Sequence, residues 1–194
     1  MSAKQPRIFA GFVRSSLDTL DRIDAALGAR VRAKLAPETA RALAEASSVS
    51  YVPVEVDVDV TECLFAEAGS ERGCEVMREN LELTFESPLL SALVSGGLRL
   101  LGRSPARLLG WSAKFWGQLY RDAGTMAFEA DGPSSGHLRL TGLPACIAAS
   151  RPYLLGMAAS LGAAFEAMGV DGEASVAAAD PAAGTASIRV SWKA

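Results

Sequence analysis

Ser50-Tyr51-Val52-Pro53-Val54-Glu55-Val56-Asp57-Val58-Asp59-Val60-Thr61 is the stretch on which the fold turns. Valines at 52, 54, 56, 58 and 60 alternate with Pro53, Glu55, Asp57 and Asp59. Period-2 alternation of β-branched side chains is the pattern of a half-buried strand. The same residues also put Val54, Val58 and Phe65 on one helical face. Propensity by itself favours the strand.

On the N-terminal side the chain reads as helical. Ser16-Leu17-Asp18 predicts a helix start, with Leu17, Leu20, Ile23 and Leu27 on one face and Gly28 as its close. Pro37 opens a second helix, with Leu43 and Ala44 on its apolar side. On the C-terminal side a polar helix is expected over about Glu71–Phe85, and Ser87-Pro88 breaks it. An apolar helix Leu89–Leu101 follows, then another from Ser104-Pro105 to about Asp122, stopped by Gly124. The period then changes to two. Met126, Phe128 and Ala130 form one strand, 131–136 a long turn, and Leu138 and Leu140 the return strand. A long helix is expected from about Cys146 to Met168, with Pro152 near its start and Gly169 at its end. Strands Ala174–Ala179 and Ala186–Trp192 close the chain. Helices ahead of antiparallel pairs mean α+β. The expected fold is one domain, 1–194, with a helical N-terminal half, a β-hairpin, a long helix and a second β-hairpin, the hairpins forming one four-stranded antiparallel sheet.

A chain of 194 residues, 49% hydrophobic, can bury one core without disulfides or metal. Its 19 basic residues are scattered and its net charge is -3, which argues against the clustered cations that nucleic acid requires. Residues 1–7 are polar, unlike a secretory signal. The most apolar stretch, Pro88 to Gly110, is interrupted by Arg99, Arg103, Arg107 and Pro105, so no membrane span is expected. Three irregularly spaced cysteines, Cys63, Cys74 and Cys146, do not make a disulfide framework. A cytoplasmic location is expected.

Few residues gather for chemistry. Asp57-Val58-Asp59-Val60-Thr61 matches the DxDxT nucleophile loop of haloacid-dehalogenase-type phosphatases, in which the first Asp attacks phosphorus and the second moves the proton beside Mg²⁺. Lys114 could assist, but no downstream acidic pair follows a strand, and the alternating parallel layout is missing. The plainer reading is a solvated acidic face. His137, the one histidine, stands at a strand start without a partnering nucleophile and acid. Cys146, at a helix start, is the thiol in which a lowered pKa would be expected. No metal-ligand spacing occurs among the cysteines. Trp111, Phe115, Trp116 and Tyr120 form an aromatic stripe, either packed in the core or lining a pocket.

The order of short motifs resembles a paralogous myxobacterial family and its wider relatives, the small-ligand sensor domains related to vinyl-reductase-type and haem-NO-binding-associated proteins. It rests on Gly11-Phe12-Val13, Pro37-Glu38, Ser50-Tyr51-Val52-Pro53, Ser104-Pro105, Lys114-Phe115-Trp116, Leu138-Arg139-Leu140-Thr141-Gly142, Gly156, Gly162 and Trp192. The resemblance implies that Val54–Ala68 is helical despite its valines. It implies a regulatory module that binds a small apolar ligand, with Phe115, Trp116, Leu119 and Met157 around it, or a protein partner. The alternative is a pocketless scaffold of a signalling or motility complex. Relatives that bind metal carry cysteines in the last hairpin, and haem-binding relatives use a helix His with Tyr-x-Ser-x-Arg. This sequence has neither, so no metal, no cofactor and no catalytic residue is expected. The small residues of the long helix, among them Gly156, Ala159, Gly162 and Ala163, would let it approach a sheet, or a second copy in a homodimer.

Overall fold

The computed structural model describes residues 4–47, 49–86 and 104–193, apart from the side chains at 84–86, 113 and 167. The expected helix Leu89–Leu101 lies outside these residues. The described elements, in chain order, are β1 (Arg7–Phe9), α1 (Ala10–Ile23), α2 (Ala25–Lys34), α3 (Pro37–Glu45), β2 (Tyr51–Pro53), α4 (Val54–Glu86), α5 (Pro105–Leu119), β3 (Tyr120–Arg121), β4 (Thr125–Gly132), β5 (Ser135–Thr141), α6 (Ala145–Ala149), α7 (Arg151–Ala167), β6 (Gly172–Asp180) and β7 (Thr185–Trp192).

The valine-rich segment is the first half of α4, interrupted at Gly69, whose φ of 78° is not helical. Val54, Val56, Val58 and Val60 are all buried, as are Asp57, Thr61, Leu64 and Phe65 between and beyond them. In its first turns only a narrow stripe, Glu55, Glu62 and Ala66 with the half-buried Asp59, meets solvent, because α1, α2, α3 and α7 pack on the rest. A β-branched residue costs a helix about 0.5 kcal/mol relative to Ala. Burying a valine returns about 1.5–3 kcal/mol. Packing therefore overrides propensity, and the alternation does not report a strand.

The two C-terminal hairpins form one antiparallel sheet in the order β4-β5-β7-β6. The central pair is in register with Leu138 opposite Ile188 and Leu140 opposite Ala186, all buried on the inner face. The α+β architecture is thus that expected. A second, three-stranded sheet, β2-β1-β3, has no counterpart in the sequence reading. It sets Ile8 between Val52 and Tyr120, and so fastens the start of α4 and the end of α5 to the N-terminus.

Other boundaries differ for local reasons. The first helix begins at Ala10, not Ser16, and ends at Ile23, where Asp24 turns extended and its carboxylate accepts the Leu27 N–H at 2.9 Å. Gly28 consequently lies inside α2. Helix α5 stops at Leu119, and Gly124 (φ 84°) makes the turn between β3 and β4 rather than a helix cap. The long helix is two. Pro152 lacks the N–H that would bond back to Ala148, and Ser150 caps the new start by accepting the Tyr153 N–H at 3.3 Å. Helix α7 then runs against α4. Its glycines serve that contact: a β-carbon at Gly156 would come within 3.1 Å of Met77, and one at Gly162 within 3.3 Å of Arg78.

Candidate functional site: a cavity with one buried carboxyl

Helices α1, α4, α5 and α7 and the inner face of the four-stranded sheet wall a cavity of about 200 Å³. Phe115, Trp116, Leu119 and Met157, the four residues singled out in the sequence, all line it. Phe12, Leu64, Met77 and Leu138 complete it from α1, α4 and the sheet. The aromatic stripe divides: Trp116 stacks on Tyr120 with ring centroids 3.9 Å apart, while Trp111 stacks on Phe115 at 5.6 Å.

One part of the wall is polar. Asp57, 7% exposed, points inward from α4. Its Oδ2 accepts the Tyr153 hydroxyl at 2.6 Å and lies 3.3 Å from the Tyr120 hydroxyl, whose one proton is shared between Asp57 and the Tyr153 oxygen beside it. Burial raises the Asp57 carboxyl from 3.8 to about 6, against the opposing pull of the two phenol hydrogen bonds. Burial first, and then the neighbouring carboxylate, push both phenols well above their ordinary value. Each member arrives by a separate device: Asp57 on the buried start of α4, Tyr120 on the strand that ends α5, and Tyr153 on the turn capped by Ser150. Several other wall hydroxyls donate to backbone carbonyls: Ser16 to Phe12 O, Thr61 to Asp57 O, Ser112 to Leu109 O and Ser160 to Met77 O. The Trp116 Nε1–H has no acceptor among the described residues.

Asp59 goes elsewhere. Its Oδ2 accepts the Ala36 N–H at 3.0 Å and its Oδ1 faces the Cys63 thiol at 3.8 Å. The two aspartates of the phosphatase-like motif therefore sit in different environments within a helix, and no strand end presents Asp57. Among the described residues, no group of three His, Cys, Asp or Glu side chains is placed to hold a metal ion. The Cys146 thiol is pushed up by burial, the reverse of what its helix-start position suggests, and burial with Asp59 lifts Cys63 to about 11. His137 precedes the cavity-lining Leu138 on β5 and so takes the opposite face of the sheet. Its Nδ1 is 3.1 Å from Ser187 Oγ and its Nε2 3.0 Å from Asp131 Oδ2.

Solved structures share this architecture. The chain has the fold of H-NOX domains. An oxygen-binding H-NOX domain related to soluble guanylate cyclases, in its oxygen complex, superposes with a TM-score of 0.65 at 11% identity, covering 96% of each chain. The Fe(II) unliganded H-NOX protein of K. algicida gives 0.61 at 9% identity over 96% of this chain and 97% of that one. A point mutant of T. tengcongensis H-NOX gives 0.64 at 10% identity over 96% and 98%. No family model matches the sequence, and no curated protein is significantly similar to it. The likeness is therefore one of H-NOX fold.

Work on haem distortion in the H-NOX family makes haem the group to test against this cavity. Haem iron needs an axial imidazole, thiolate, thioether or phenolate. Among the described residues no His or Cys lines the cavity, and both phenols are tied to Asp57. The volume also falls below the roughly 300–1,000 Å³ of ordinary small-molecule sites. These residues do not fit a haem. Among the described residues, no helix is long and apolar enough to cross a membrane.

Proposed function

We propose that this chain is a non-catalytic sensor-type regulatory module that takes a small apolar molecule into the cavity beside Trp116. The observation that carries the reading is the space itself, an apolar cavity walled by Phe115, Trp116, Leu119 and Met157 within the core. Well-packed interiors hold few voids larger than water, and a dry cavity of about 150 Å³ is enough to bind benzene. An oxygen-binding domain among the proteins of like fold is a precedent for small-molecule binding on this architecture. The resemblance of the motif order to vinyl-reductase-type sensor domains, read from the sequence, points the same way.

The cavity counts against the pocketless scaffold. The Mg²⁺ phosphatase loses its support because Asp57 and Asp59 do not share a site. A homodimer through α7 loses its motive, since Gly156 and Gly162 already face α4. The test is calorimetric titration of the purified protein with benzene and ethylbenzene. Saturable one-to-one binding is expected, abolished by Ser160→Phe, which fills the cavity. Absence of binding by the unaltered, folded protein would dismiss the reading.

A further inference from the structure

Resting on that reading, we infer that the ligand is a small amine, an apolar body of about one aromatic ring with an ammonium head set against Asp57. Of the described residues lining the cavity, only Asp57, Tyr120 and Tyr153 titrate, and none is cationic. A buried carboxylate without a counter-charge is costly unless something cationic or donating pairs with it. Both phenols approach the same oxygen, Oδ2, and among the described residues no donor is placed on Oδ1. Each phenol oxygen, having donated its proton, keeps at least one lone pair to accept with, even where one phenol already accepts from the other. The head-group region is therefore rich in acceptors on three oxygens, and an ammonium carries three donors and the missing positive charge. The Tyr120 ring, stacked on Trp116, adds aromatic surface beside a cation.

The unpartnered Trp116 Nε1–H would instead call for a ligand that carries an acceptor. Less than 1 Å² of that atom is accessible, whereas Asp57 Oδ1 is not among the sealed, unpartnered polar atoms of the described residues. The indole nitrogen is thus sealed from a ligand, and the carboxyl that lines the cavity is the group left for its head. The carboxyl's rise to about 6 leaves it mostly ionised at about pH 7.5, where an amine is protonated.

The experiment compares 2-phenylethylamine, ethylbenzene and phenylacetate by calorimetry at about pH 7.5. Body size is nearly constant and the head group changes. The amine is expected to bind at least about tenfold tighter than ethylbenzene, as a charge-assisted hydrogen bond would give, and phenylacetate not to bind. Asp57→Asn should remove the preference for the amine while keeping the affinity for ethylbenzene, which also reports that the variant's cavity is intact. Tyr153→Phe, which deletes one acceptor, should weaken the amine selectively. If ethylbenzene binds as tightly as the amine, or if Asp57→Asn leaves the preference in place, the amine assignment is overturned and the cavity reading stands. If neither compound binds the unaltered protein, both fail together.

Discussion

Asp57 is the residue with the largest consequence per atom. It holds its proton to higher pH in the folded chain than in an unfolded one, so protonation stabilises the fold. That stabilisation is complete below about pH 4 and is lost as pH rises through about 6, amounting to about 3 kcal/mol in all. Thermal unfolding should accordingly show a melting temperature that rises as pH falls from about 7.5 to about 5. Asp57→Asn, neutral throughout and still able to accept from both phenols, should flatten that dependence and raise stability at neutral pH. A second residue-scale expectation concerns Gly124. Its φ of 84° suits glycine, and a β-carbon there would lie 2.4 Å from the Thr141 carbonyl oxygen. Gly124→Ala should cost at least about 1–2 kcal/mol in urea unfolding, since both the backbone conformation and the space oppose it. Sequence reading picks out Asp57 for a different reason, as half of a DxDxT motif. It does not join Tyr120 or Tyr153 to it, because nothing in the spacing of 57, 120 and 153 announces that they meet.

At the scale of elements, α4 and its contact with α7 decide the molecule. By local propensity the alternation from Val52 to Val60 reads as a strand, and only the family resemblance argues for the helix that is found. The physical reason is burial around most of the helix. With four helices packed on it, its polar face narrows to Glu55, Asp59 and Glu62, and the buried valines on either side of that stripe mask the 3.6-residue signature that identifies surface helices. The α4–α7 contact depends on small residues. Gly156→Leu should push α7 away from Met77 and destabilise the protein by about 1–3 kcal/mol, as overpacking does. Denaturant unfolding of that variant beside Ala159→Leu, at a position without a glycine's close approach, would check it. The hairpins are legible at nearly their observed bounds, because alternation and turn residues are local signals. The short strands β1, β2 and β3 are not, being two or three residues long and held together only by pairing between distant parts of the chain.

The whole molecule joins these into a cavity whose occupation should be visible in its stability. A ligand that binds the folded state alone, at about 100 times its dissociation constant, adds about 2.7 kcal/mol. Ethylbenzene should therefore raise the melting temperature of the unaltered protein and leave that of Ser160→Phe unchanged. The order of helices before hairpins, the α+β class and the apolar, aromatic character of the α5 stripe were determined by the sequence alone, since each rests on periodicity within a short local window. Whether 54–68 coils or extends, that α7 packs on α4, and that Asp57, Tyr120 and Tyr153 converge in one wall were decided only by the tertiary structure. These depend on which surfaces are removed from water together, and that is a property of the folded assembly rather than of any segment within it.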